Sequence, residues 1–283
     1  MARLATLLGN RTDLAPRVFQ LEREALRVRG HGNPLGWGIG FYQGDEVLIR
    51  RRPLDEGDEV DLAAVAGDVR ADIVVAHVRV AHVGTLRGEN THPFRFRQWL
   101  FAQTGTLPQF GAVRDRLVDN VQEFLRSGIR GETDAEVFFH VFLSFLHDRG
   151  GLDAADPELV RDALRSSLAL IDATGAEVGA EPAALNMLVS SGQFTVAVHR
   201  GGPMAYCVFS GKHDAELLAG DEPQLRRKLP ELGQVHFVLL ASDFDDEASG
   251  PASEILPDQR WKAVPDRAMV TLTRGNLPEI ESL

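Results

Sequence analysis

Gly36-Trp37-Gly38-Ile39-Gly40-Phe41-Tyr42, then Gln43-Gly44-Asp45, then Glu46-Val47-Leu48-Ile49-Arg50-Arg51 is the stretch on which the fold class turns. Two runs of strand-forming residues flank a short turn that contains glycine, which predicts an antiparallel hairpin over 36–51. The glycines at 36, 38 and 40 alternate, so they bare one face of the first strand to another backbone or to a ligand. A phosphate-binding glycine loop would need a helix N-terminus directly behind it, and here a strand and a turn follow. Outward from this hairpin, Arg3 to Gly9 reads as a buried strand. Pro16 suits the first turn of a helix through Arg29, with Val18, Leu21, Ala25 and Val28 at helical spacing and an exit at Gly30-His31-Gly32-Asn33-Pro34. Asp72 to Arg79 and Gln98 to Gln103 are further strands.

Helices are expected as a block, from Pro108 to Arg126, Thr133 to His147 and Pro157 to Ala173, each with amphipathic spacing. Short strands then return at Leu185 to Ser190, Gln193 to His199, Met204 to Phe209, Val235 to Ser242 and Ala268 to Thr273. Strands, then helices, then strands argue against a doubly wound parallel sheet. They argue for an α+β layered fold in which antiparallel sheets are covered by helices. Neither an internal repeat nor a long linker divides the chain; Gly150 to Pro157 and Ala173 to Pro182 are its weaker spots, and 1–283 is expected to be a single domain.

The chain has 283 residues, 44% of them hydrophobic and 25% charged, the composition of an ordinary globular protein with ample core. Thirty Lys and Arg against 41 Asp and Glu give a net charge of −11, which argues against nucleic acid and anionic membranes as partners. Residues 1–9 are too short an apolar run for a signal segment, and no stretch reaches the roughly 20 residues that span a bilayer. One cysteine, Cys207, supports neither a disulfide nor a Cys-rich zinc site, which fits a reducing compartment and makes the cytoplasm the default expectation. Between Tyr206 and Val208 in an apolar run, it reads as a core residue rather than a nucleophile.

Several stretches carry possible chemistry. Alternation in Ala76-His77-Val78-Arg79-Val80-Ala81-His82 puts His77 and Arg79 on one strand face. The Arg79 fork suits a carboxylate ligand, and equally suits a salt bridge that fixes a loop. Gly88-Glu89-Asn90-Thr91-His92-Pro93-Phe94 lies close behind and offers further hydrogen bonds. His77, His82 and His92 raise metal binding, but their spacing matches no standard site. His140 and His147 read as surface or partly buried helix residues. Phe101-Ala102-Gln103-Thr104-Gly105-Thr106 ends a strand either in an ordinary turn or with backbone N–H groups facing a cleft. In Gly131-Glu132-Thr133-Asp134, Thr133 suits an N-cap and Asp134 the first turn of a helix.

These pieces in this order, from Arg3-Leu4 through the glycine strand, His77-Val78-Arg79, Asn90-Thr91-His92-Pro93-Phe94, Gln103-Thr104-Gly105 and Gly131-Glu132-Thr133-Asp134 to Asn186-Met187-Leu188-Val189, resemble the class II glutamine amidotransferases. The nearest branch is the stand-alone bacterial glutamine-hydrolase-like group, and the likeness runs to about Trp261. It implies an N-terminal-nucleophile hydrolase fold, a four-layer αββα sandwich of two antiparallel sheets between helices, acting without a cofactor or metal. In that family an N-terminal cysteine, exposed by loss of the initiator Met, attacks the glutamine amide with its own α-amino group as base, giving a thioester and ammonia. Arg79 corresponds to the arginine that grips the glutamine α-carboxylate, and Asp134 to the aspartate that holds its α-ammonium. Asn90, Thr91 and His92 fall with the substrate-binding residues. An Asn-Gly pair supplies the oxyanion hole.

This chain departs from the pattern twice. The nucleophile position is Ala2, with no hydroxyl or thiol beside it; Thr6 is four residues along the strand. The oxyanion motif reads Gln103-Thr104-Gly105, so a hydroxyl replaces the Asn amide, a loss that typically costs about 10²- to 10³-fold in rate. The expectation is therefore a pseudo-glutaminase that binds glutamine, another amino-acid-like ligand or a γ-glutamyl compound, or that serves as a partner subunit. The alternative is an active glutaminase or amidotransferase, by other chemistry in the cleft or because Ala2 stands in for a natural cysteine. In a third reading Arg79 and Asp134 make only internal salt bridges.

Overall fold

The computed structural model describes residues 2–29, 35–44, 46–53, 59–80, 85–153, 156–227, 233–244 and 256–283. The chain opens on β1 (Arg3–Gly9), α1 (Ala15–Leu21), α2 (Arg23–Leu26) and β2 (Arg27–Arg29). β3 (Leu35–Gln43), β4 (Glu46–Pro53), β5 (Glu59–Asp61), α3 (Leu62–Val65), β6 (Ile73–Val80), β7 (Phe94–Phe96) and β8 (Trp99–Thr104) follow. The helical block is α4 (Phe110–Asp119), α5 (Glu123–Arg126), α6 (Asp134–Asp148) and α7 (Pro157–Ala176). The remainder holds β9 (Leu185–Ser190), β10 (Phe194–Arg200), β11 (Met204–Ser210), α8 (Gly211–Ala219) and α9 (Pro223–Arg227). It ends with β12 (His236–Ser242), β13 (Lys262–Ala263), β14 (Ala268–Thr273) and β15 (Glu279–Ser282).

One sheet runs β13-β11-β12-β1-β6-β3-β4 and a second β15-β14-β10-β9-β8-β7. β2 and β5 form a separate ribbon. The ladders of β1 with β6 and β12, of β3 with β4 and of β8 with β9 are antiparallel, as the hairpin over 36–51 predicts. Side-chain alternation sorts the strands into layers. Leu4, Leu8 and Val75 of the first sheet meet Leu100, Leu188 and Ala197 of the second. Ala5 and Leu7 point the other way, onto Val18, Phe19, Leu26 and Leu218. The outer face of the second sheet packs Phe101, Met187 and Val196 against Phe138, Phe142 and Leu164 of α6 and α7. The result is the expected α+β sandwich of four layers, helix, sheet, sheet, helix. Both faces of each central strand are covered, which is why β1, β8, β9 and β10 are buried along their whole length.

Several local expectations need correction. The helix expected over 16–29 stops at Leu21, breaks at Glu22 (φ −97°, ψ 22°) and gives way to a strand at Arg27–Arg29. Two tertiary ties override the helical spacing: the Trp261 indole donates to the Glu22 carboxylate (2.9 Å), and Arg23 and Arg27 pair with Asp61 and Glu59 of β5. The helix expected over 108–126 starts at Phe110 and is interrupted after Asp119, where the Gln122 N–H donates to Ser144 Oγ (2.9 Å). The segment 211–227 holds the two helices α8 and α9 rather than a plain connection, and α8 buries Ala215, Leu218 and Ala219 over the first sheet. His140 is buried and donates from Nδ1 to the Glu136 carbonyl (2.9 Å), whereas His147 is exposed beside the Phe124 ring. The exit at 30–34 lies outside the described residues. Cys207 lies in the outer core of the first sheet, and burial pushes its thiol pKa up, the reverse of a nucleophile's environment. Among the described residues no helix is long and apolar enough to cross a membrane.

Candidate functional site

A cleft of about 240 Å³ opens where the ends of β6 and β8 and the start of β1 meet the first turn of α6. Its walls carry Ala2, His77, Arg79, His92, Gln103, Thr104, Gly105, Asp134 and Asp243. The bare strand face builds one wall by close approach. A Cβ on Gly38 would lie 1.9 Å from the His92 carbonyl oxygen, and one on Gly40 would lie 2.9 Å from the Pro93 ring. Gly38 and Gly40 therefore seat the 92–93 segment, which holds His92 over His77 with ring centroids 4.2 Å apart. Gly105 closes the opposite side with φ +85°, and a Cβ there would lie 2.1 Å from the Ala184 carbonyl oxygen.

Arg79 and Asp134 share this cleft. Alternation along β6 brings His77 and Arg79 to the same face, and Thr133 caps α6 through the Glu136 N–H. That cap sets Asp134 at the first helical position, where Oδ2 accepts the Leu107 N–H (2.6 Å). Burial raises the Asp134 pKa and lowers that of Arg79, while each charge opposes the other's shift. Arg79 Nη1 also donates to the Thr85 carbonyl (3.2 Å). Burial drives the His77 pKa down to about 3 and that of His92 well below normal, so both imidazoles are neutral. The Gln103 carbonyl only accepts, so its 2.9 Å contact makes His77 Nε2 the protonated nitrogen and leaves Nδ1 as an acceptor. That nitrogen, both His92 ring nitrogens and both polar atoms of the Gln103 carboxamide are buried without partners.

A raised acid pKa means that Asp134 opposes folding as pH climbs above the usual carboxylate range. The unfolded chain then ionises a group that the folded chain keeps protonated longer. Asp134→Asn is therefore expected to melt above the parent near pH 8, with the gap closing toward pH 4. Thermal scans across that range check this, and a gap that widens on acidification refutes it.

Two expected binding residues stand elsewhere. Asn90 donates to Thr85 O and Oγ1 (3.0 and 3.2 Å) and accepts the Glu132 N–H (2.9 Å). Thr91 Oγ1 donates to the Arg87 carbonyl (2.9 Å). Both are buried: Asn90 ties the loop before β7 to the approach to α6, and Thr91 closes a bond within that loop, so neither lines the cleft. Thr104 lines it, yet its hydroxyl donates to Asp243 Oδ2 (2.6 Å), which takes it away as an oxyanion donor. Asp243 carried no sequence signal beyond the end of an apolar strand. It sits at φ +58° and also accepts from the Ser242 hydroxyl and the Asn186 amide. His82 lies outside the described residues; among those described, no trio of His, Cys, Asp or Glu could hold a metal ion.

The profile of the family "Glutamine amidotransferases class-II" matches residues 5–282. The probable glutamine amidotransferase DUG3 of Saccharomyces cerevisiae is 30% identical over 182 residues, 58% of this chain and 50% of the yeast protein, so the match spans half of that relative's length. The gamma-glutamyl-hercynylcysteine sulfoxide hydrolase of Mycobacterium tuberculosis is 27% identical over 263 residues, 92% of this chain and 84% of that one. The glutamine aminotransferase class-II domain protein of Silicibacter pomeroyi superposes with a TM-score of 0.59 at 19% identity, covering 99% of both chains. Glutamine phosphoribosylpyrophosphate amidotransferase of Bacillus subtilis gives 0.56 at 14%, covering 99% of this chain and 49% of that one, so the fold is shared. Sequence and architecture agree: the chain belongs to the class II glutamine amidotransferase family.

Proposed function

We propose that this chain is a catalytically degenerate class II glutamine amidotransferase, one that holds a free amino acid in the cleft without cleaving it. The observation that carries this reading is the pairing of Arg79 and Asp134 in a cleft whose edge, at the nucleophile position, is Ala2. A guanidinium suits an α-carboxylate and a buried aspartate suits an α-ammonium. Alanine offers nothing to attack an amide, and Thr6, the nearest hydroxyl along β1, is fully buried. A volume of about 240 Å³ fits a single amino acid rather than a larger ligand.

Calorimetric titration with α-amino acids, run beside an assay of ammonia release from L-glutamine, tests the proposal. Binding without ammonia is the expected result; ammonia above background that disappears in Arg79→Ala makes the chain an active glutaminase instead. Restoring Ala2→Cys alone is expected to leave ammonia release at the parent's level. The Thr104 hydroxyl is committed to Asp243, and that carboxylate would oppose a negative charge developing beside it. Adding Thr104→Asn and Asp243→Asn to Ala2→Cys is expected to raise the rate by about 10²-fold over the single variant. A single variant as fast as the triple refutes that role for the 104–243 pair.

A further inference from the structure

The cleft carries charge that an amino-acid clamp does not use. Arg79 and Asp134 answer the two charges of an α-amino acid and cancel each other. Asp243 is left over, a carboxylate held in place by the Thr104 hydroxyl (2.6 Å), the Ser242 hydroxyl and the Asn186 amide (3.4 Å). With both imidazoles neutral, the ionisable side chains lining the cleft sum to one negative charge.

Unpartnered polar atoms belong to side chains that line the same cleft. His77 Nδ1 is an acceptor, and the His92 ring and the Gln103 carboxamide each add one acceptor together with N–H donors. All three side chains are more than nine-tenths buried and line the cleft, and His77 Nδ1, both His92 ring nitrogens and both Gln103 carboxamide atoms lack a protein partner. Buried polar atoms left unpaired oppose folding, so such a cluster marks a place built for a ligand's polar group. An ammonium has three donors and no acceptor, which suits the Asp243 carboxylate and the acceptors that line the same cleft. A carboxamide also finds donors here, on the Gln103 amide and the His92 ring, so the charge of Asp243 is what separates the two ligands.

We infer that the cleft takes a diamino acid, with the α-carboxylate on Arg79, the α-ammonium on Asp134 and the side-chain ammonium on Asp243 beside Gln103 and the His77–His92 pair. This rests on the amino-acid clamp proposed above and names its ligand class. The assignment differs from glutamine by one positive charge, so it is read directly in solution.

Titration of the whole chain with L-ornithine, L-lysine, L-glutamine and L-norvaline decides it, since all four share the α-groups. L-ornithine or L-lysine is expected to bind at least about tenfold tighter than L-glutamine and L-norvaline, a gap worth about 1.4 kcal/mol. Asp243→Asn is expected to bring the diamino acids to within about threefold of L-norvaline while leaving L-norvaline unchanged. If L-glutamine or L-norvaline binds as tightly as both diamino acids, the diamino acid is wrong and the clamp stands. If no amino acid binds a chain that still melts cooperatively, both fall. The ligand ranking on the parent protein decides the matter even where Asp243→Asn fails to fold.

Discussion

Arg79→Ala is expected to weaken binding of every α-amino acid by at least about 30-fold, the lower end of the 2–5 kcal/mol that follows removal of one partner from a buried charged contact. Arg79 is only 6% exposed, and Asp134 faces it across the cleft at 5%. A ligand carboxylate arriving there leaves water, and without the guanidinium no cationic side chain of the cleft lining answers it. Arg79→Lys keeps the charge but loses the planar fork, so an intermediate loss is expected. Calorimetry with L-norvaline reads the α-clamp alone, free of any side-chain preference. The salt-bridge reading makes the opposite forecast: Arg79→Ala would lower the melting temperature, through its bond to Thr85 O, and no amino acid would bind the parent. Binding by the parent that Arg79→Ala leaves intact would remove Arg79 from the site.

Local pattern located the part of the site that local pattern builds. Two-residue alternation along β6 put His77 and Arg79 on one face, and a Thr-Asp pair before an apolar helix placed Asp134 through its cap. The bare glycine face was readable as a close approach, although the backbone that fills it, at residues 92–93, was not. Ties between distant residues stayed hidden. Asp243 meets Thr104 across 139 positions, and nothing in an apolar strand ending Ser242-Asp243 announces a partner in the other sheet. Glu22 breaks a helix whose spacing is sound because Trp261, 239 positions away, donates to it. Asn90 and Thr91 stand in the right motif for binding, but their side chains are satisfied by loop backbone, a distinction that motif spacing does not carry. The antiparallel, layered architecture was legible because strand patterning and element order set it; the chemistry around Asp243 depends on contacts between elements.

Gly38→Ala is expected to cost about 3 kcal/mol or more, because the added methyl meets backbone that cannot rotate aside. Its Cβ would lie 1.9 Å from the His92 carbonyl oxygen and 3.0 Å from the carbonyl carbon, so either β3 or the 92–93 segment must move. Moving that segment displaces His92, hence the same variant should also weaken ligand binding. The two neighbouring glycines on this face grade the effect. At Gly40 the obstacles are the Leu100 side-chain methyls, at 2.8 and 3.0 Å, and the Pro93 Cγ at 2.9 Å. Leucine can change rotamer, so a smaller loss of about 1–2 kcal/mol is expected. At Gly36 the nearest atoms lie at 3.5 Å, ordinary contact, and alanine should be neutral or slightly stabilising because it has less backbone freedom to lose on folding. Denaturant unfolding of the three alanine variants measures the series, with the expected order Gly38→Ala worst, Gly40→Ala intermediate and Gly36→Ala harmless. Equal losses at all three positions would mean that the glycines serve the strand itself, and the 92–93 backbone would no longer be the reason for the bare face.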